Sequence, residues 1–530
     1  MIRAQHANGR RSSVPSELSI SLILGCSVAL TACGDREALS PAARQVPLAD
    51  LLDGDITVEL NPSGLTPLAA EASFQTKMPV SVAIEVVGAE PLRHEVPGRS
   101  TRHVVPILGL YAGTENTVIL RLSNGDASYA LDTVTLSTDP VPEFFPTVEI
   151  VAADRSRMES GWTLSNLGIG EEGRLSSWPT IFDTDGAIRW YMNLSFLDDF
   201  AFPVKRARNG NLLLAQGFVV FEYDMLGWLR GRWDTPGYFL HHELLEKPNG
   251  NLVVAVEVLG RATLEDHVLE IDRGSGTIVN EWDARQVLDV YRRTFVDDDS
   301  DWFHMNAIYH SEPDDALIIS GRNQSAVVKV TNNNELVWIL AAKKGWGLAG
   351  LDSNGHNTSD FLLTAVDATG TPYSEPVQLG DEDAPDFAWP WGQHAAMILP
   401  NGNLFLFDNG VTRNFDEDEA PFSRGVEYEI DETAMTVRQV WQYGQNRGPD
   451  YHSPIISDVD LLPSTGNRLI MPGIVRGSDP HAYVTEVGYP NGDVIFEAVI
   501  HFKNLRSSGT FSWGGFDLIY RSERLSLYPR

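Results

Sequence analysis

Between Asp50 and Thr138 apolar and polar positions alternate with a period of two in short runs, broken by Gly, Pro and Asn. Two of these runs are Val80-Ser-Val-Ala-Ile-Glu-Val-Val87 and Thr117-Val-Ile-Leu-Arg-Leu122. That period puts every second side chain on one face of a strand, so the pattern predicts a small β-sandwich domain over 49–145. The stretch Asp139-Pro-Val-Pro-Glu-Phe-Phe-Pro146 then carries three prolines, which cannot donate to a sheet ladder. A linker and a domain boundary are expected there.

From 146 to 530 the pattern repeats. A turn followed by a strand ending in tryptophan recurs at Trp190, Trp233, Trp282, Trp338 and Trp441, with spacings of 43, 49, 56 and 103 residues. A weaker sixth copy lies near Phe496, and the doubled last spacing points to a long insertion within Gly347 to Asp386. Units of about 40–50 residues built from short strands are the mark of propeller blades, so the chain reads as all-β, a six-bladed β-propeller behind the N-terminal sandwich. An irregular sandwich array is the rival architecture.

A second repeat, out of phase with the first, carries the candidate chemistry. His242-Glu-Leu-Leu-Glu-Lys-Pro-Asn-Gly-Asn251 and His394-Ala-Ala-Met-Ile-Leu-Pro-Asn-Gly-Asn403 share the spacing H-x5-P-N-G-N. Equal distance to a hairpin turn predicts equal depth on two different blades. His304, with Asn306 two residues on and facing the same way, precedes another turn, and Arg322 falls on the next strand of that blade. A lone histidine such as His241, His310 or His452 reads as structural, whereas histidines in register with an arginine read as a pocket. Three imidazoles could hold zinc, but a guanidinium beside a dication is repulsive. His with Arg suits a small oxyanion such as a sulfuryl or phosphoryl group, and no metal is expected.

Composition narrows the field. The 530 residues carry 72 acidic against 40 basic side chains, a net charge of −32, which argues against nucleic acid as a partner. Residues 1–32 read as a signal peptide: Arg3, Arg10 and Arg11, an apolar run from Leu18 to Leu30, then Leu30-Thr31-Ala32-Cys33. The last four resemble a bacterial lipobox, with Cys33 lipidated as the first mature residue and 33–48 a flexible tether. An ordinary signal peptide with an incidental cysteine is the other reading. Either way the protein is expected in the periplasm, and on the lipobox reading it touches a membrane through the lipid anchor only. The other cysteine is Cys26, within the leader, so the mature chain holds neither a disulfide nor a thiol nucleophile.

Taken together, HHELLEKPNGN, DWFHMNAI, SGRNQSAVVKV, WGQHAAMILPNGNLFLFDNG, Phe422 to Tyr428 and Val440 to Gly444 resemble the bacterial arylsulfate sulfotransferases, in order and in spacing. So do Leu60-Asn-Pro-Ser-Gly64, Pro67-Leu-Ala-Ala70 and Pro106 to Ala112 in the N-terminal part. The resemblance implies a six-bladed propeller with an N-terminal β-sandwich, and a transferase that needs no cofactor. It passes a sulfuryl group from an aryl sulfate to a phenol, by a ping-pong route through a sulfohistidine. It places the nucleophile at His394 and further catalytic groups at His242, His304 and Arg322, with Asn306 binding substrate. The chain departs from relatives that carry a disulfide near the site. A non-catalytic binding propeller and an aryl sulfate hydrolase stay open. So do a homodimer and the choice of His242 or His304 as acid and base.

Overall fold

A computed structural model of the chain describes residues 44–529, apart from 126–127, 172, 297, 417–419, 478 and 505–513. The leader and Cys33 lie outside the described residues.

The N-terminal alternation forms one hydrogen-bonded sheet of six strands. Its longest strand, Ala70–Val86, breaks register between Gln75 and Val80, around Pro79. Its first half pairs with Leu52–Leu60 and its second with Glu115–Ser123, while Leu92–Ile107 runs alongside both. Val80, Val82, Ile84 and Val86 turn the same way and are buried, as period two requires. The apolar cluster they join runs on through Phe145, Trp178 and Tyr191, so the proline linker packs against the first strands on its C-terminal side.

Six further sheets of four or five strands come after it among the described residues. Most are consecutive meanders: Tyr238–Glu246 through Ile278–Asp283, for example, or Met305–Ser311 through Leu336–Leu340. Two are completed from a distance. Thr147–Ala153 adds the outer edge of the sheet that begins at Asp458–Leu461, and Leu518–Leu525 pairs with Trp162–Glu171 in the first of the six. The leading strands of neighbouring sheets touch in order, Tyr238–Glu246 on Met305–Ser311, then His394–Ile398, then Asp458–Leu461, then Leu518–Leu525.

The recurring tryptophans have a common physical role. Each indole N–H donates to a backbone or side-chain oxygen in a turn of the next sheet: Trp190 to Met225 O, Trp233 to Arg273 O, Trp282 to Thr331 O, Trp338 to Glu432 Oε1 and Trp441 to Pro490 O, all within 2.8–3.0 Å. A buried indole is a large apolar side chain with one donor to satisfy, so it both fills and orients the seam between sheets. The long gap before Trp441 is an insertion: its short strand Thr364–Ala365 lies parallel to the outer strand Thr436–Tyr443.

Candidate active site

His242 lies on the leading strand Tyr238–Glu246, His304 directly precedes Met305–Ser311, and His394 opens His394–Ile398. The pairing of each strand slips at the histidine: between Leu240 and Leu244, between Met305 and Ala307, and between His394 and Met397. Bulges of this kind re-aim side chains. They come with left-handed backbone at His242 (φ 52°), His304 (φ 54°) and Ala395 (φ 55°), a conformation that costs about 1–3 kcal/mol at a non-glycine residue and clusters at functional sites. The equal spacing to P-N-G-N does not make His242 and His394 equivalent. His242 is inside its bulge, whereas His394 precedes its own and still pairs with Phe407.

Backbone and side chains bring the remaining residues together. Arg322 falls in the turn just after Ala316–Gly321 rather than on that strand; its amide donates to the carbonyl of His304 at 3.1 Å, and its charge acts on His394. Asn306 is fully buried, and its Nδ2 donates at 2.7 Å to the carbonyl of Gln393, the residue before His394. The sequence marks Asn306 as a substrate contact; the amide donation observed is to backbone. Arg521 donates at 3.0 Å to the carbonyl of Asn306 and at 2.9 Å to Asp458.

His394 is 2% exposed, and its Nδ1 lies 2.7 Å from Asn409 Oδ1. The Asn409 Nδ2 donates to the carbonyls of Ser453 (2.7 Å) and Ile456 (3.0 Å), which fixes the amide so that its oxygen must accept. The proton of His394 therefore sits on Nδ1, and Nε2 keeps its lone pair. Burial, with Arg322, Arg521 and His242 nearby, holds the imidazole pKa well below its ordinary value. The ring is neutral at pH 7.

His304 is the electrostatic opposite. Its Nδ1 lies 2.9 Å from both Asp301 Oδ2 and Glu265 Oε2. Burial opposes its charge, but the carboxylates of Glu265 and Asp301 outweigh burial and bring the pKa up to about 9. His242 stands at a ring-centroid distance of 4.7 Å from His304, with Nε2 3.1 Å from the same Glu265 oxygen and Nδ1 3.1 Å from the Tyr520 hydroxyl. Burial pulls the Arg322 pKa down to about 10, still cationic at pH 7, and its guanidinium lies over the Phe295 ring at 4.9 Å.

Four supporting residues escaped the sequence reading: Glu265, Asn409, Tyr520 and Arg521. Glu265 and Asn409 stand in connections and Tyr520 and Arg521 on the last described strand, and none shares a repeat with the histidines. His241, His242 and Glu265, and separately Glu265, Asp301 and His304, offer ligand atoms within 4.8 Å of one another, so either set has the reach to hold a metal ion. In the second set Nδ1 of His304 lies at hydrogen-bond distance from both carboxylates. Of the histidines read as structural, His310 bonds Asp315 at 2.7 Å, while His241 has both ring nitrogens buried without a partner.

The arrangement offers a neutral imidazole lone pair, an imidazolium and a guanidinium, with Arg322 and His242 acting on His394 and His242 against His304, which suits attack on an anionic centre. Residues 147–509 match the family model described as arylsulfotransferase (ASST), and residues 57–139 match that of the arylsulfotransferase Ig-like domain. The chain is 30% identical over 338 residues to the arylsulfate sulfotransferase AssT of Escherichia coli O6:H1 (strain CFT073), a match covering 53% of this chain and 55% of that protein. It is 27% identical over 379 residues to AssT of Lelliottia amnigena, covering 60% and 62% respectively. The matches thus span between half and two thirds of these relatives. A Bacteroides caccae protein of unknown function superposes on 68% of this chain and 98% of its own, at 13% identity and a TM-score of 0.39.

Proposed function

This chain belongs to the arylsulfotransferase family, and from that premise we propose that it moves a sulfuryl group from a phenolic sulfate ester to a phenolic acceptor through a sulfohistidine at His394. The observation that carries the reading is the Asn409-fixed tautomer, which leaves Nε2 of a neutral His394 as a nucleophile. In the first displacement Nε2 forms a bond to sulfur as the bond from sulfur to the aryl oxygen breaks. The phenolate leaves with the electron pair and takes a proton from an imidazolium. In the second, that imidazole takes the proton of an acceptor phenol, whose oxygen attacks sulfur, and Nε2 departs with its lone pair. Arg322 faces the sulfuryl oxygens, whose negative charge is present in both steps. Asn306 serves this chemistry through the strand of the nucleophile, by holding the carbonyl of Gln393.

The same reading takes the six sheets as blades of a closed propeller, their leading strands around a common axis. The chain then works in the periplasm behind a leader cleaved before Cys33, with the lipid as anchor. Replacing Cys33 with Ala is expected to abolish lipid labelling and leave activity unchanged; continued membrane association of that variant overturns the anchor.

The deciding experiment incubates the protein with 4-nitrophenyl sulfate, with and without phenol. The expected result is nitrophenol release that depends on phenol, ping-pong kinetics, and one sulfuryl mass on the peptide containing WGQHAAMILPNGN, absent in His394→Ala. Full-rate release without phenol identifies a hydrolase, and no release from any aryl sulfate identifies a binding protein. A modified HHELLEKPNGN peptide exchanges the roles of His242 and His394.

A further inference from the structure

His241 and His242 are neighbours in the chain, and on a regular strand neighbours point to opposite faces. The slip in pairing between Leu240 and Leu244 and the left-handed backbone at His242 (φ 52°) break that alternation, so that a ring nitrogen of each and a Glu265 carboxylate oxygen all lie within 4.8 Å of one another. One of these spacings is closer still, His242 Nε2 to Glu265 Oε2 at 3.1 Å. Two ligand atoms on one zinc ion, each about 2.0–2.2 Å from it, stand roughly 3.0–3.4 Å apart. His241 gives an independent sign. It is 4% exposed and both its ring nitrogens are buried without a hydrogen-bond partner; the Val256 carbonyl acts on the ring without reaching bonding geometry. A buried polar group left unpaired costs about 1–3 kcal/mol, and a lone pair brought up to another imidazole and a carboxylate is satisfied by a cation.

We propose that His241, His242 and Glu265 form a binding site for one divalent transition ion of the zinc class, with Asp301 and His304 outside it. Two imidazoles and a carboxylate are the donor set of open zinc sites, which keep a position for water or another oxygen. The ion displaces any proton from the nitrogens it takes, so the site requires no particular resting charge on either ring. Tyr520 is the outer partner. Its hydroxyl donates to the His242 carbonyl at 2.9 Å and its oxygen stands 3.1 Å from His242 Nδ1, which leaves Nε2 to the ion. The set of Glu265, Asp301 and His304 has the same reach, but its imidazole already lies 2.9 Å from both acids, whereas His241 meets no partner. Arg322 repels a dication, yet Asp301 and Glu265 both act on that guanidinium, and Asp301 stays to offset it once Glu265 has turned to the ion. His394 is not among the ligands, so the site stands apart from the proposed sulfuryl transfer.

The test is made on the purified protein without substrate. After treatment with a chelator it should take up one equivalent of Zn2+ by calorimetry, and Co2+ in its place should show the visible d–d absorption of an ion held by nitrogen and oxygen. Crystals grown with zinc should give an anomalous peak bounded by His241, His242 and Glu265; this reading comes from the native protein and survives a variant that fails to fold. His241→Ala and Glu265→Gln should each weaken binding more than about a hundredfold, and Tyr520→Phe, which removes only the outer partner, by about 10–100-fold. Asp301→Asn should still take up the full equivalent. No uptake of Zn2+ or Co2+, a peak among Glu265, Asp301 and His304, or undiminished binding in folded His241→Ala overturns the proposal. A protein that binds zinc here and transfers no sulfuryl group refutes the transfer reading alone; one that transfers the group and binds no ion refutes this site alone.

Discussion

The Nδ1 of His394 and the Oδ1 of Asn409 lie 2.7 Å apart, and the amide is held so that only its oxygen can face the ring. Replacing Asn409 with Ala frees the tautomer, strands the carbonyl of Ile456 and leaves that of Ser453 only the Ser423 hydroxyl at 3.4 Å. The first half-reaction, followed as the nitrophenol burst in stopped flow, should slow about a hundredfold, as for loss of one transition-state hydrogen bond. Thermal unfolding of the variant should show about 1–3 kcal/mol less stability from the unpaired buried carbonyl.

Arg322 should matter equally in both half-reactions. Arg322→Ala is expected to lower both the burst and the phenol-dependent step by about 10²–10³, since the charge it faces is carried through each. Arg322→Lys keeps the charge without the planar fork and should recover only part of that loss. An Ala variant slow in one step alone would move Arg322 to the donor or the acceptor side.

Alkaline stability should report on His304. Its folded pKa of about 9 lies above the ordinary value near 6.5, so its ion pairs contribute fully below pH 6.5 and that contribution is lost as pH rises through 9. The stability gap between native protein and His304→Gln, from urea unfolding, should be widest below pH 6.5, about 3 kcal/mol or less, and close by pH 10. A gap independent of pH between 6 and 10 contradicts the ion pair.

The indole seams can be tested apart from the chemistry. Trp282→Phe removes one of two donors to the Thr331 carbonyl, which keeps the Asn334 amide at 3.0 Å, and should cost about 0.5–1.5 kcal/mol in unfolding free energy, while Trp282→Ala should cost about 3–5. Turnover of the folded Phe variant should stay within twofold of native, because the indole bonds a turn of the next sheet and none of the site histidines.

The chain discloses most where it repeats itself. Alternation in 80–86 announces strands because the buried face must recur every second residue, and five tryptophans announce sheets because every seam poses the same packing problem. The three histidines and Arg322 were legible through spacing and family resemblance. Glu265 was not, being one acid among 72 and outside any repeat. Asn409, in Asp408-Asn-Gly410, looks like ordinary turn chemistry, and its contact with His394 spans fifteen residues. The bulges were hidden too, since nothing in H-x5-P-N-G-N says which residue will take left-handed backbone.

Tyr520, which bonds His242, and Arg521, which holds Asn306 and Asp458, both belong to Leu518–Leu525, the strand that completes the first of the six sheets. A ribosome emits all three histidines and Arg322 well before that strand. Neither contact can form until residues 518–525 exist, so a chain cut short of them leaves the His242 ring and the Asn306 carbonyl without these two partners.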